Sequence, residues 1–314
     1  MRLARIPVLV LAGLLPSCGG GDSPARPSAP QAQVQTTLTV VAGETASAVA
    51  GASVTVAGQA FTTDASGRIT LPDRPATGAF IDVVAGGFLD RQTLFRSGTA
   101  ELSLWPRRAA QGFDEAFTAR VVYTSASDED PVVGDSPLSR LRAGISMATI
   151  VAAPEILADA AALRSLEDAA GQVGVATGGA IAYQVASARP ASGTFFEARI
   201  DPTDALCSEA RGYFRGRSIG DELTGGAIVF CSVAIARTST AAHEVGHSLG
   251  LQHSNQLPDL MYPSFQRARA TSLTPREGMA VRLMLERRGG NRFPDNDRSV
   301  SVSGAARTRV TICE

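Results

Sequence analysis

The chain contains no lysine. Arginine supplies all of its positive charge, and 29 Lys plus Arg against 30 Asp plus Glu leave a formal net charge of -1. There is no basic surplus, no run rich in basic residues and no zinc-finger spacing. Nothing in the sequence would neutralise a phosphate backbone, so nucleic acid is excluded as a partner. Long apolar runs are scarce as well. Beyond the first fifteen residues nothing reaches the ~18 consecutive apolar residues of a membrane-spanning helix. Cysteine occurs four times, as Cys18, Cys207, Cys231 and Cys313, and histidine only three times, always within residues 243–253. What is present is ordinary: 44% hydrophobic and 19% charged residues describe a globular protein and not a disordered one. The 314 residues accommodate about two domains at ~100–200 residues each.

The chain opens MRLARIPVLVLAGLLPSC. Arg2 and Arg5 precede an apolar core at residues 6–15 that is too short to cross a bilayer, which is the anatomy of an export signal. LPSC at residues 15–18 resembles a bacterial lipobox. That resemblance implies a signal peptide over residues 1–17, lipidation of Cys18, and an exported lipoprotein held at the cell envelope through the membrane; without the lipid, the reading is plain secretion. The following GGGDSPARPSAP cannot build a core and suits a flexible linker over residues 18–35. Export permits disulfides. Three cysteines remain beyond Cys18, an odd number; Cys207 and Cys231 share one segment and are the favoured pair.

Residues 36–104 alternate with period two. TTLTVV, ASVTVAG, QAFTTD, GRITLP, AFIDVVA and TAELSL are short runs rich in Val, Thr, Ile and Phe, broken by turn sequences such as DASG. The pattern predicts a small antiparallel β-sandwich. AGASVTVAGQAFTTDASGRITLP resembles a carboxypeptidase-regulatory-like or transthyretin-like domain. With no histidine and only scattered acids, the segment has no catalytic cluster and reads as a spacer or adhesion module.

Residues 105–292 change character. In APEILADAAALRSLEDAAGQV the apolar residues Ile156, Ala160, Leu163, Leu166, Ala170 and Val173 fall on one helical face, with Pro154 in the first turn. AIAYQVA, TFFEARI and GGAIVFCSVAIA read as strands. RTSTAAHEVGHSLG then reads as a helix capped by Thr238 or Ser239.

That helix carries the chemistry. His243 and His247 are four apart and project from one face, one turn apart, so two imidazoles can meet one Zn²⁺. Glu244 lies about a hundred degrees around the helix from His243. It can flank a metal without ligating it and accept a proton. Gly250 suits a sharp left-handed exit, after which the chain can bring His253 back to the same ion. Three neutral ligands leave one position open, as in catalytic zinc sites.

HEVGHSLGLQH fits the metzincin pattern H-E-x-x-H-x-x-G-x-x-H at every fixed position, and DLMYPSF follows with Met261 where metzincins carry a Met-turn. Ser254 and LMYPS resemble the matrixin branch; an astacin-like site would favour Glu at 254 and Tyr at 263, where this chain has Ser254 and Pro263. The resemblance implies one catalytic zinc on His243, His247 and His253, Glu244 as general base, Met261 as an apolar floor, Tyr262 and Pro263 lining a substrate pocket, and hydrolysis of protein or peptide substrates. It implies an α+β fold: a metzincin-like catalytic domain, with a mixed twisted sheet, long helices and an active-site helix, preceded by the small all-β sandwich. No histidine is spare for a second, structural zinc, and the cysteine-switch motif is absent. Residues 201–204 and 220–222 offer oxygen ligands to Ca²⁺.

Thr274, Pro275 and Glu277 form a capping box opening a helix that Gly289 and Gly290 would end. The tail, residues 293–314, has little periodicity and reads as a short strand or a loose end. The whole reads as an exported zinc metalloendopeptidase, with a surface-bound binding or adhesion protein of little catalytic activity as the alternative.

Overall fold

Seven short strands occupy residues 36–104: β1 (Thr36–Ala42), β2 (Ser53–Val56), β3 (Gln59–Thr62), β4 (Arg68–Leu71), β5 (Phe80–Val84), β6 (Arg91–Leu94) and β7 (Glu101–Leu104). The computed structural model describes residues 35–124, 133–264, 269–298 and 305–313. The signal segment, Cys18 and the linker up to residue 34 lie outside the described residues. The strands form a three-stranded sheet, β4-β1-β7, and a four-stranded sheet, β3-β2-β5-β6. Their inward residues, among them Leu38, Val40, Val54, Ile69, Ile81 and Leu102, make one apolar cluster. Alternation creates it: β2 and β4 bury every second residue. β6 was not foreseen, because its inward positions are polar. Arg91 and Thr93 are buried there against charges from residues 286–297.

The remaining elements are α1 (Glu115–Tyr123), β8 (Arg140–Leu141), β9 (Met147–Ala152), α2 (Pro154–Leu157), α3 (Ala160–Ala176), β10 (Ala182–Ala186), β11 (Thr194–Ile200), β12 (Gly212–Ile219), β13 (Glu222–Phe230), α4 (Val233–Ala236), α5 (Thr240–Ser248), α6 (Pro275–Leu285) and β14 (Ala306–Cys313). A seven-stranded sheet runs β10-β9-β11-β13-β12-β14, with β8 also on β13. β9, β10, β11 and β13 are mutually parallel; β12 is antiparallel to both its neighbours. Helices α3, α5 and α6 pack together, with α3 also on β10 and α5 on β12 and β13. Ile150, Leu166, Val173, Phe196, Ile228 and Val245 belong to the core between them.

Three local expectations change. The helix expected from residue 154 breaks into α2 and α3, because Asp159 restarts it, its carboxylate accepting the N–H groups of Ala161 and Ala162 at 3.1 and 3.0 Å. The apolar run to residue 236 is a strand only to Phe230; a turn at Cys231 and Ser232 leads into α4. The helix after the Met-turn stops at Leu285, before the two glycines.

Residues 35–314 form one compact unit. Arg287, with no exposed side-chain surface, joins the two cores: it meets Asp295 at 2.6 Å, donates to the Ser103 carbonyl at 2.9 Å and stacks over Trp105. Thr93 donates to Asp297 at 2.7 Å, and the backbone of Gln92 pairs with Asp295 and Asp297 like an added strand. The segment after α6 is therefore built into the β6 edge, where buried polar groups satisfy one another.

Candidate metal centre

All nine residues of α5 are buried, an unusual setting for a helix carrying two histidines and a glutamate. Of the two capping candidates, Thr238 accepts the Thr240 N–H at 3.2 Å, while Ser239 makes no side-chain cap. At the far end Gly250 has φ +108°, and a Cβ there would lie 2.0 Å from the Ser139 carbonyl oxygen. Only glycine fits that exit. The chain then turns, the Gln252 N–H bonding the Val121 carbonyl at 2.8 Å, and delivers His253 to the pair.

The three imidazoles converge. His247 Nε2 lies 3.1 Å from His243 Nε2 and 3.1 Å from His253 Nε2. On the other side of the rings, His243 Nδ1 sits 2.6 Å from the Leu260 carbonyl and His247 Nδ1 2.7 Å from the Leu251 carbonyl. A carbonyl only accepts, so His247 Nδ1 carries the proton and its Nε2 presents a lone pair; His243 Nδ1 lies between the Leu260 carbonyl and Arg269 Nη1, a donor 3.0 Å away. Burial holds both His243 and His247 well below the ordinary imidazole range; the next contribution comes from His247 for His243 and from His253 for His247. Neutral lone pairs crowded face to face repel unless a cation lies among them. Tetrahedral zinc with Zn–N of ~2.0–2.1 Å needs nitrogens about 3.3 Å apart, close to the spacing here. The residues fit such an ion, and His243, His247 and His253 form a cluster that could bind a metal.

Glu244 is buried and faces the start of β12: a Cβ on Gly212 would lie 3.3 Å from Glu244 Oε1. Met261 is buried beneath α5, its sulfur 2.5 Å from where a Cβ on Gly246 would be. Helix and Met-turn thus touch where glycine allows it. Tyr262 and Pro263 follow, half-buried, and the Tyr262 carbonyl accepts from Arg269 Nη1 at 3.1 Å.

Several supporting residues escape sequence reasoning. Glu277, read only as a cap, also accepts the Met261 N–H at 2.7 Å and the Leu260 N–H at 3.3 Å. Since the Leu260 carbonyl holds His243, the carboxylate of α6 orients that imidazole through one peptide unit. Asp259, buried, takes a bidentate pair from Arg276 at 2.8 Å and the Ser254 hydroxyl. Arg269 spans the Met-turn and the start of α5, reaching Tyr262, Thr240 and Ser239. Glu277 had a local signal, the capping box; Asp259 and Arg269 had none, because their partners are distant in sequence.

Cys207 and Cys231 are joined by a disulfide, and Cys313 lies in β14. The acids considered for calcium are engaged by protein groups. Asp204 caps Leu206 and accepts the Tyr213 hydroxyl, Asp201 accepts from Thr203, and Asp221 lies 4.0 Å from Arg307. Calcium finds no support in this arrangement.

The matrixin family model matches residues 168–282. The match begins within α3, ends within α6, and contains the three histidines, Glu244 and Met261. It supports a matrixin-like metzincin catalytic domain, and with it a zinc metallopeptidase acting on proteins or peptides. No curated protein matches the chain. The adhesion alternative gains nothing from the comparison.

Proposed function

We propose that the protein is an exported zinc endopeptidase in which His243, His247 and His253 hold the metal and Glu244 is the general base. One observation carries this reading. Three Nε2 atoms converge in a buried site, with the tautomer of His247 set by the Leu251 carbonyl. Zinc, when bound, supplies Lewis acidity that lets water ionise near neutral pH and polarises a carbonyl.

The chain's own groups do the rest. The Glu244 carboxylate takes a proton from the attacking water and passes it to the departing amine. Its burial keeps bulk water from competing for that proton. Met261 and Gly246 set the height of α5 above the Met-turn, and Glu277 keeps Leu260 in place for His243. Tyr262 and Pro263 border the substrate. The arrangement predicts an anchored enzyme if Cys18 is lipidated, with the transthyretin-like β-domain between anchor and peptidase.

Metal content and cleavage of unfolded casein, measured for the parent chain and Glu244→Gln, test the proposal. One zinc per chain in both and cleavage only by the parent is the expected result. One zinc with no cleavage by either supports the adhesion reading, and absence of zinc removes the central claim.

A further inference from the structure

β12 is the strand beside the metal centre. Its first residue, Gly212, packs so closely on α5 that a Cβ would meet Thr240 Cγ2 at 3.1 Å and Glu244 Oε1 at 3.3 Å. One edge of β12 pairs with β13. The other edge is held along its whole length by β14, in unbroken antiparallel register from Ile219↔Ala306 to Gly212↔Cys313. The last strand thus runs toward the metal centre and ends one strand spacing from the residue that abuts Glu244.

The attachment of β14 is unusual. Among its described side chains, none belongs to the hydrophobic core. Residues 305–308 are exposed, and Thr311 is its only residue described as buried. Beside its ladder hydrogen bonds, β14 is held by the buried Thr311, by Arg307 at 4.0 Å from Asp221 and by the Ser218 hydroxyl, which donates to the Arg307 carbonyl at 3.5 Å. A polypeptide of almost any sequence could replace it, because an extended peptide adding to a sheet edge binds mainly through its backbone.

We propose that β14 restrains the peptidase of its own chain: by pairing along β12 beside the metal centre, it fills the sheet edge that an extended polypeptide substrate would need. The proposal rests on the peptidase reading above. A tethered strand acts at an effective concentration in the mM range. Against an edge affinity of order 0.1 mM, β14 leaves the edge free about one-tenth of the time, and releasing it exposes about tenfold more edge.

Two variants test this: deletion of residues 305–314, and the complete chain with Arg309→Pro and Thr311→Pro, which removes ladder donors facing Gly216 and Phe214 without shortening the protein. The first measurement uses metal-free protein and a fluorescein-labelled peptide of residues 305–314 carrying Cys313→Ser, followed by anisotropy. The second uses zinc-loaded protein and casein. Both variants are expected to bind the peptide about tenfold more tightly than the parent and to cleave casein about tenfold faster. Equal peptide binding in folded variants overturns the proposal while leaving the peptidase standing, as does tighter binding with unchanged cleavage. If no form cleaves casein, the peptidase reading fails, and the anisotropy alone decides whether β14 covers a peptide-binding edge. Loss of the circular dichroism of the fold in both variants makes β14 a structural strand and also overturns the proposal.

Discussion

Replacing Gly250 with alanine tests whether the turn between the second and third histidines is a geometric necessity. Two independent penalties apply. With φ at +108°, an L residue is placed in a region it rarely adopts, at a cost of ~1–3 kcal/mol. The new methyl would lie 2.0 Å from the Ser139 oxygen and 2.9 Å from its carbonyl carbon, with Met284 Cε at 3.0 Å behind them. Ser139 cannot easily yield: the neighbouring Leu138 N–H is bonded to the Asn291 carbonyl at 2.8 Å, and Arg140 is held through its side chain to the Arg287 carbonyl. Forced overpacking adds ~1–3 kcal/mol, so the total is about 2–6 kcal/mol. Relief must come from residues 249–253, which carry His253 away from its partners.

Urea unfolding should therefore show a loss of that size in metal-free protein, and zinc affinity, read by competition with a chelator, should fall by ~10–100-fold. Gly171→Ala is the control. It lies within α3 with nothing near its added methyl, so alanine there should be neutral or stabilise by up to ~1 kcal/mol. A Gly250→Ala protein within ~1 kcal/mol of the parent, binding zinc normally, would refute the reasoning.

Further outcomes follow from other contacts. Glu277→Ala leaves the Leu260 and Met261 N–H groups without their carboxylate; it should cost ~2–3 kcal/mol and weaken zinc binding more than Glu277→Gln does, and equal zinc affinities would count against the link to His243. Reducing the Cys207–Cys231 bridge, which spans a sequence separation of 24, should lower stability by about 3 kcal/mol on the loop-entropy account, measured as a shift in urea midpoint. Arg287→Met strands Asp295 as a buried unpaired charge, so a loss of ~3–5 kcal/mol in one cooperative transition is expected; two separate transitions would show that the β-domain and the peptidase unfold independently. In metal-free protein His243 and His247 take up protons more readily when unfolded. Stability should then fall as pH drops through about 6.5, by up to ~1.4 kcal/mol per pH unit for each histidine, partly offset above pH 4.5, where Glu277 and Glu286, raised by burial, protonate first in the folded state; a urea midpoint that does not change between pH 8 and 5.5 would contradict this.

What was legible in the sequence shares one property: its cause lies within a few residues of its effect. The strands of residues 36–104 could be read from alternation, and the histidine constellation from spacings of four and six around a helix end. The capping box at Thr274 and Glu277 was equally local. β6 stayed hidden because its inward Arg91 and Thr93 are matched by Asp297 and its neighbours about two hundred residues away. β12 was missed because its glycines and arginines blur the period-two signal. Asp159 could cap a helix start but stood inside a run whose apolar spacing looked continuous.

The same distinction explains why the three histidines could be singled out but the residues around them could not. Histidine is one of the few side chains that bind zinc, and a chain with three of them leaves little choice. The groups that orient ligands need only be acceptors or donors at the right point in space, a role that Glu277, Asp259 and Arg269 fill from three different parts of the chain. Nothing in the spacing of Asp259 and Arg269 marks them, and the capping box marks Glu277 only as a cap; their joint role becomes visible once α6 is seen to pack beneath the Met-turn. The tail shows the most consequential case. Residues 306–313 look like weak strand material, since among the side chains described there Thr311 alone is buried. A strand held through its backbone leaves almost no trace in side-chain pattern, yet its register on β12 places it where it can govern access to the metal centre.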